Sequence, residues 1–411
     1  MLLTNFISAV AFQNTLDFQH AIRSIPSDWT PPGTNIKSYN RGREHYEIWK
    51  GSLADPAVRQ LVKRIQITVL FFVEGGSYIG VDADGNDEPE SSLARWSVYF
   101  LYKKEVGASA NASASADVGA ASGPKYVFQG YSTVYDFWMF QQPTPPATPE
   151  AGSSWELPET TIPLSDLPRR SRISQFIILP PFQRKGVGAF LYNTIFDLLV
   201  KDPFVKEVTI EDPNEAFDRL RDLCDIKYLR ANEPKFANLS LSTDVPVPAK
   251  GGILHNNTEI TLRGGSSQGG SRIIDTEVLE EIRVKHKIAP RQFSRLVEMH
   301  LMSLLPASVR PHATLPNAKR PAASQDDKHV YTLWKLLLKQ RLYYRNAALL
   351  GEFEVTERIL KLDETLGNVE LEYAQILERL EETSTVTNGK RKLEASTEDG
   401  PSSKKVRVEN A

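Results

Sequence analysis

The sequence predicts an α/β fold in which a mixed β-sheet flanked by helices precedes a C-terminal all-helical region. Three observations lead to this prediction. Short apolar runs rich in β-branched and aromatic residues recur between residues 65 and 179, which is typical of strands. A strand, a glycine loop and a helix follow one another in residues 172–201. Apolar residues then step by three and four through residues 355–380, which is typical of packed helices.

Five stretches have the composition of strands. They are short, apolar and bounded by turn-forming or charged residues. The predicted strands are 65–73, 95–103, 126–138, 172–179 and 208–210. Two low-complexity stretches, 106–124 and 141–161, interrupt this region and contain too few large apolar residues to fold alone.

Residues 180–191 connect the fourth of these strands to a helix. Two prolines end the strand, because proline cannot continue a ladder of hydrogen bonds. Leu191, Ile195 and Leu198 recur at helical spacing, and Pro203 ends the run. The unit is therefore predicted to be strand, glycine loop and helix.

Gly186 and Gly188 lie where this helix begins. The first backbone N–H groups of a helix have no partner within the helix and carry the positive end of its dipole, so they form an anion site. Arg184 and Lys185 would add positive charge at its rim. The alternative, that the glycines only make a tight turn between strand and helix, stays open.

The spacing of the loop distinguishes three kinds of phosphate-binding motif. A dinucleotide-binding loop needs a small residue where this chain has Leu191, and a P-loop needs a lysine where it has Ala189. The pattern Q-x-x-G-x-G, formed by Gln183, Gly186 and Gly188, resembles the pyrophosphate-binding motif of the GNAT acetyltransferase superfamily. The ligand of that superfamily is acetyl-CoA.

Two carboxylates follow the predicted strand 208–210. Asp212 has the N-cap position of the next helix, with Pro213 as its first residue and Glu215 three residues after the cap, which predicts a capping box. Asp212 is therefore expected to have a structural role. Glu211 has no such explanation: it is either a solvated carboxylate at a strand end or a functional group near the glycine loop.

Residues 172–196 followed by 211–222 resemble the catalytic subunits of type B histone acetyltransferases, a family of GNAT enzymes. The similarity extends more loosely through residues 28–33, 49–76 and 134–138. The resemblance implies transfer of acetyl from acetyl-CoA to lysine ε-amines in the N-terminal tail of newly synthesised histone H4, linked to chromatin assembly. It implies Glu211 as the general base, with Asp212 as the alternative.

The same resemblance implies which residues bind each substrate. Strand backbone would face the pantetheine arm and the developing oxyanion, and the loop would wrap the pyrophosphate. The implied cofactor-binding positions are Phe176, Ile177, Ile178, Gln183, Arg184, Lys185, Gly186, Val187, Gly188, Ala189 and Asn214. The positions implied to line the histone-peptide groove are Trp96, Tyr135, Asp136 and Phe137. For Trp96 and Tyr135, aromatic packing on a strand is an equally good explanation.

The composition fits an intracellular enzyme. The chain has 411 residues, of which 41% are hydrophobic and 24% charged, enough for a sizeable core and for two or three domains. A formal net charge of -2 predicts no direct binding of nucleic acid. One cysteine, Cys224, excludes a disulfide framework, and the lack of Cys or His pairs at ligand spacing predicts no metal. No apolar run reaches transmembrane length, which predicts no membrane association.

Residues 385–411 are polar and carry two basic clusters, 390–392 and 404–407. They are predicted to form a disordered tail with a nuclear import signal, a merely solvating tail being the alternative. The resemblance implies a protein of nucleus and cytoplasm. It also implies a WD-repeat histone-chaperone subunit as a partner, besides the histone H4 tail.

The predicted organisation has five parts. They are a remnant of an N-terminal lobe in 1–39, a GNAT domain in 40–230, a linker region in 231–271, a helical domain in 272–384 and the basic tail in 385–411. The resemblance implies a longer N-terminal lobe with an acidic loop that holds the basic histone tail. Weaker and less selective binding of the tail is therefore expected of this chain.

Two other functions stay open. A chromatin-assembly scaffold could hold acetyl-CoA or a histone without turnover, although the intact Glu211 argues against it. A nucleotide-dependent oxidoreductase could use Glu211 as the acid that binds the ribose, although Leu191 argues against that.

Overall fold

A single mixed β-sheet organises the N-terminal part of the protein. The computed structural model describes residues 14–26, 28–82, 84–105, 125–139, 166–247, 273–313 and 321–395. The strands within these ranges are β1 Thr34–Arg41, β2 Glu44–Ser52, β3 Trp96–Glu105, β4 Lys125–Trp138, β5 Arg169–Ile178 and β6 Val205–Ile210. They lie side by side in chain order, antiparallel except for the parallel pair β5 and β6. The predicted mixed sheet is confirmed.

Helices flank the sheet and fill the C-terminal part. Those before and between the strands are α1 Thr15–Arg23, α2 Pro56–Ile65, α3 Ile67–Phe72, α4 Glu90–Leu93 and α5 Val187–Lys201. Those after the sheet are α6 Glu215–Asn232, α7 Pro234–Ala237, α8 Thr276–Lys285, α9 Pro290–Ser303, α10 Gln325–Arg345, α11 Ala347–Gly351 and α12 Val355–Ala395. The predicted fold class, α/β with a helical C-terminal region, is confirmed.

The predicted strand 65–73 is wrong, because these residues are helical. Asp55 accepts a hydrogen bond from the backbone N–H of Ala57 at 2.8 Å, and Pro56 is the first residue of α2, so a helix begins before the apolar run. The buried residues Val58, Val62 and Val69 then follow at helical spacing. Strands β1 and β2, which pair as a hairpin beside β3, were not predicted.

One core cluster lies on the face of the sheet that α2 and α3 cover, called here the α2/α3 face. Its buried side chains come from both helices and from alternate residues of the central strands. They include Val62 of α2, Val69 of α3, Phe100 of β3, Tyr131 of β4 and Ile177 of β5. Helix α5 packs against β3, β5 and β6 and buries Leu191 and Ile195, whereas Leu198, the third apolar residue of the predicted spacing, is 37% exposed.

The described residues divide into two compact units. The first takes its residues from the chain up to Cys224 and from Arg283–Ala289, and the second from Asp225–Ile282 and from Pro290 onward. The short segment Arg283–Ala289 joins the first unit at β6, where the N–H of Val208 donates to the carbonyl of Lys287 at 2.7 Å. The five predicted parts stay predictions, since several of their boundaries fall outside the described residues.

The second unit is helical and contains an ion pair inside its core. Arg341 of α10 donates to both carboxylate oxygens of Glu298 on α9, at 2.6 and 2.9 Å, and the Tyr373 hydroxyl donates to the same group at 2.8 Å. Burial raises the pKa of Glu298, which the guanidinium of Arg341 opposes. The apolar stripe of 355–380 packs internally, as predicted: its buried members are Leu362, Leu366, Tyr373, Ile376 and Leu380.

Some predictions concern residues that lie outside the described ranges. These are the low-complexity stretches 106–124 and 141–161, most of the linker region and residues 396–411 of the basic tail. In the ranges given above, no helix is long and apolar enough to cross a membrane. The same ranges contain no group of three His, Cys, Asp or Glu side chains that could hold a metal ion.

Candidate active site

Strands β5 and β6 diverge at the centre of the site. They pair from Arg169 and Val205 to Ile173 and Ile210, where β6 ends while β5 continues to Ile178. The N–H of Glu211 makes the last link, to the carbonyl of Ile173 at 2.9 Å. Beyond this point the strands that the structure describes leave one edge of β5 without a neighbour.

A β-bulge in β5 decides which residues use that edge. Ser132 of β4 lies opposite Phe176, but Val134 lies opposite Ile173, so β5 has one extra residue here. The N–H of Leu179 donates to the carbonyl of Gln129 at 2.9 Å. Because backbone groups alternate along a strand, those of Ile177 also point to β4 and those of Phe176 and Ile178 point to the open edge.

The three predicted strand positions therefore differ in role. Ile177 is buried in the core of the α2/α3 face, while Phe176 and Ile178 lie half-buried on the other face of the sheet. The Phe176 ring packs edge-on against Phe217 of α6, with ring centroids 4.9 Å apart. The open edge is thus supplied by Phe176 and Ile178, and Ile177 supports them from the core.

The glycine loop joins β5 to α5 as predicted. A short 3-10 helix, Pro180–Phe182, follows the strand, and the side chain of Gln183 donates to the carbonyl of Ile178 at 2.8 Å. Gly186 has a φ of 77°, a left-handed conformation that favours glycine, and immediately precedes Val187, the first residue of α5. Val187, Gly188 and Ala189 thus carry the first N–H groups of the helix, which have no partner within it.

The two glycines of the loop have different surroundings. A Cβ atom added to Gly188 would lie 3.5 Å from Cγ1 of Ile178 and 3.8 Å from Cδ1 of Leu220, which is ordinary contact. A Cβ atom added to Gly186 would lie 3.3 Å from Nη1 of Arg41. Arg41, at the end of β1, therefore brings a guanidinium to the loop in addition to the predicted Arg184 and Lys185.

Glu211 lies at the divergence, with each of its carboxylate oxygens beside a side chain of β5. The Ser174 hydroxyl donates a hydrogen bond to Oε2. Nη1 of Arg172 lies 3.6 Å from Oε1. The side chain of Glu211 remains 43% exposed, so a substrate amine can reach it.

The predicted capping box at Asp212 is wrong. The side chain of Asn214 accepts a hydrogen bond from the N–H of Phe217 at 2.9 Å, and α6 begins at Glu215, so Asn214 is the N-cap residue. An N-cap residue ordinarily has extended backbone, whereas Asp212 has a φ of 32°. Asp212 is exposed beside Glu211, and Asn214 has a structural role in addition to any contact with a cofactor.

Three of the four residues predicted for the peptide groove lie together. Trp96 pairs with Tyr135 across β3 and β4, with ring centroids 4.7 Å apart, and Tyr135 packs edge-on against Phe137 at the same distance. Phe137 is 36% exposed. The guanidinium carbon of Arg172, which lies opposite Tyr135 in the sheet, is 4.5 Å from the Phe137 ring centroid. The aromatic row therefore leads to Glu211.

The fourth residue, Asp136, faces the other side of the sheet. Its Oδ1 accepts a hydrogen bond from the Ser171 hydroxyl at 2.6 Å, and its Oδ2 lies 3.3 Å from Nε of Arg169, which also pairs with Asp202. Burial raises the pKa of Asp136, which the Ser171 hydrogen bond and the Arg169 charge oppose. The structure does not bring Asp136 together with the aromatic row.

Comparison with known proteins identifies the family. Residues 1–74 match the family model "Histone acetyl transferase HAT1 N-terminus", and residues 267–305 match "Fungal HAT1, C-terminal". The histone acetyltransferase type B catalytic subunit of Gibberella zeae is 46% identical, over 99% of this chain and 80% of the relative. Those of Pyricularia oryzae and Neurospora crassa are 44% and 37% identical, over 100% and 99% of this chain and 81% and 82% of the relatives. The chain belongs to the family of histone acetyltransferase type B catalytic subunits.

As a member of the type B family, the chain is an acetyltransferase, which confirms the activity that residues 172–196 and 211–222 predicted. The resemblance to the family could be recognised from the sequence because the glycine loop and the carboxylate pair are each formed by residues close together in the chain. Three residues beside the candidate site were not predicted: Arg172 and Ser174, which face Glu211, and Arg41, which faces the loop. Their only sequence signal was position: Arg172 and Ser174 lie at alternate places in a predicted strand, and Arg41 lies in a strand that was not predicted.

Proposed function

We propose that this type B family member transfers acetyl groups from acetyl-CoA to lysine ε-amines in the N-terminal tail of newly synthesised histone H4, as a step linked to chromatin assembly. Glu211 is the general base of the proposed reaction. The observation that carries the proposal is the position of Glu211 at the divergence of β5 and β6, with an open strand edge on one side and an aromatic row on the other.

The base is needed because the substrate amine is protonated. A lysine side chain has an ordinary pKa of about 10.4, so roughly one amine in several thousand is neutral at pH 7. The Ser174 hydroxyl orients Glu211 through Oε2, which leaves Oε1 to accept the proton of the incoming ammonium. The neutral amine attacks the thioester carbonyl directly, with no covalent enzyme intermediate. Asp212, exposed and next in the chain, is the alternative base.

The cofactor side of the site is proposed to extend from the open edge to the glycine loop. Phe176 offers its backbone N–H and C=O groups, and Ile178 its N–H, to the pantetheine arm and the developing oxyanion, while the Ile178 carbonyl accepts from Gln183. The first N–H groups of α5, from Val187 to Ala189, face the pyrophosphate, and their dipole favours negative charge. Arg184, Lys185 and Arg41 add cations around this end of the site.

The histone tail is proposed to lie along Trp96, Tyr135 and Phe137. Aromatic faces suit lysine side chains, because the ring attracts the ammonium and the methylene stem packs on it. Asp136 supports the row from the opposite face of the sheet through Ser171 and Arg169. The supporting observation is that the aromatic row ends at Arg172 and Glu211.

Partners and location follow from the family and the tail sequence. We propose a WD-repeat histone-chaperone subunit as the stable partner. The basic clusters at 390–392 and 404–407 are proposed to direct import into the nucleus, with a second population in the cytoplasm. Removing residues 385–411, which contain both clusters, should leave activity on peptides unchanged and shift the protein toward the cytoplasm, as fluorescence microscopy of a tagged chain would measure.

One assay tests the proposed function against its alternatives. The protein is incubated with acetyl-CoA, with NAD and with a histone H4 tail peptide, and the melting temperature and free CoA are measured. We expect stabilisation by acetyl-CoA and peptide-dependent release of CoA. Stabilisation without CoA release would favour a scaffold, and stabilisation by NAD alone would favour an oxidoreductase. A peptide in which every lysine is replaced by arginine keeps the charge and should release no CoA.

A further inference from the structure

Arg172 lies between Glu211 and the aromatic row. Its Nη1 is 3.6 Å from Oε1 of Glu211, and its guanidinium carbon is 4.5 Å from the centroid of the Phe137 ring. A substrate lysine must bring a cation to the same carboxylate. We propose that the guanidinium of Arg172 occupies the position of the substrate ammonium group in the free enzyme, and that it moves aside when the lysine binds. This inference rests on the proposed function.

The two contacts of the Glu211 carboxylate differ in a way that supports a displaceable Arg172. The Ser174 hydroxyl donates a hydrogen bond to Oε2, while the 3.6 Å from Nη1 of Arg172 to Oε1 exceeds the length of a charge-assisted hydrogen bond, about 2.7 to 2.9 Å. The side chains of Arg172 and Glu211 are 35% and 43% exposed, so solvent screens their attraction. Ser174 therefore orients the carboxylate, and Arg172 is held loosely enough to leave.

The place that Arg172 occupies also suits an ammonium group. A carboxylate and an aromatic face within reach of one cation attract lysine and arginine alike. Arg172 cannot be acetylated at neutral pH, because its guanidinium keeps its proton. It therefore competes with the substrate for Glu211 without reacting, and this competition raises the KM for the histone tail.

The first test replaces Arg172 by a neutral residue of similar size. Arg172→Gln should lower the KM for the H4 tail peptide three- to tenfold and leave kcat within twofold, because the competitor is gone and Glu211 and Ser174 are intact. Arg170→Gln is the matched control: Arg170 lies two residues away on the same strand, and its Nε pairs with Glu207 at 2.9 Å. Both variants lose one positive charge, so a general attraction of the basic tail changes equally in the two.

The second test uses the chemistry of a primary amine. Arg172→Lys places an amine beside Glu211, which takes one ammonium proton. The nitrogen then attacks the thioester carbon of acetyl-CoA, a C–N bond forms, the C–S bond breaks, and the CoA thiolate leaves and takes up the second proton. We expect mass spectrometry to find acetyl on position 172 of this variant after incubation without peptide. Arg170→Lys should stay unmodified at position 170.

The outcomes separate this inference from the proposed function. If the wild type turns over the peptide but Arg172→Gln and Arg170→Gln have the same KM, the inference is wrong. A fall in kcat for Arg172→Gln at unchanged KM would also contradict it, because Arg172 would then position the base. Equal acetylation of positions 170 and 172 would show surface reactivity and overturn it. No turnover by a wild type that melts cooperatively would overturn the proposed function as well.

Discussion

The two faces of the sheet at β4 and β5 differ sharply although the same two short segments build them. On the α2/α3 face, Tyr135, Phe137 and Arg172 are partly exposed, and Arg172 is held to Glu211 by one loose ion pair. On the opposite face, Asp136, Ser171 and Arg169 form a closed network with the carboxylate accepting at 2.6 Å. Alternation along a strand thus gives neighbouring residues different surroundings: Tyr135 and Phe137 belong to the proposed peptide groove, and Asp136 between them belongs to a buried polar network.

The largest expected effect is the loss of the proposed reaction at Glu211. Glu211→Gln keeps the size of the side chain and removes the base, so kcat on an H4 tail peptide should fall on the order of a hundredfold or more at neutral pH. Affinity for acetyl-CoA and the melting temperature should change little. Asp212→Asn is the control. If Asp212→Asn loses the activity and Glu211→Gln keeps it, Asp212 is the base.

The next largest effect is a loss of stability when the Asp136 network on the opposite face of the sheet is removed. Asp136→Ala leaves Ser171 and Arg169 without their shared acceptor, so the free energy of unfolding should fall by about 1 to 3 kcal/mol. Phe137→Ala, one residue further, should leave stability within about 1 kcal/mol because the ring is half-exposed. It should raise the KM for the peptide instead. Urea unfolding and peptide kinetics on both variants test whether Asp136→Ala mainly loses stability and Phe137→Ala mainly raises KM. Equal losses of stability in the two variants would contradict this expectation.

A smaller effect sharpens the role of Ser174. Ser174→Ala removes the hydrogen bond that orients Oε2 of Glu211, so kcat should fall about three- to tenfold, the usual scale of one net hydrogen bond, with KM unchanged. Ser174→Thr keeps a hydroxyl and should recover most of the activity. If Ser174→Ala and Ser174→Thr lose kcat equally, the loss would come from packing rather than from the hydroxyl.

The smallest expected effect is a pH dependence of stability that comes from Asp136. Because burial raises the pKa of Asp136, the folded protein binds this proton more readily than the unfolded chain does. The wild type should therefore gain stability relative to Asp136→Asn as the pH falls from neutral toward about 4, the ordinary range of an aspartate. Urea unfolding of both proteins between these pH values measures the difference. A constant difference would mean that the carboxyl titrates alike in both states.

Local patterns in the sequence predicted some parts of the site and not others. The glycine loop and Glu211 were predicted correctly in position because glycines, prolines and paired carboxylates mark turns locally. Asp136 was assigned to the same groove as Tyr135 and Phe137, although successive side chains of a strand point to opposite faces of the sheet. The roles of Phe176 and Ile177 depend on a bulge opposite β4, and nothing in 172–179 alone indicates an extra residue.

Two local misreadings have simpler causes. The run 65–73 is apolar throughout, so its own pattern cannot distinguish strand from helix, and the deciding signal was the cap at Asp55. The N-cap of α6 was predicted at Asp212 but lies two residues later, at Asn214. The backbone of Asp212, with a φ of 32°, does not have the extended conformation of an N-cap residue, and the side chain of Asn214 caps the helix instead.

The return of Arg283–Ala289 to β6 sets an order of events during synthesis. Val208 of β6 needs the carbonyl of Lys287 as its partner, yet a ribosome adding about 5 to 20 residues per second reaches position 287 roughly 4 to 16 seconds after position 208. During that interval the N–H of Val208 on the outer edge of β6 has no partner and can pair with other chains on the same polysome. Chains that end before residue 283 lack this partner for Val208. A premature stop codon in the helical unit would therefore leave β6 without the hydrogen bond to Lys287, although the stop lies far from β6 in sequence.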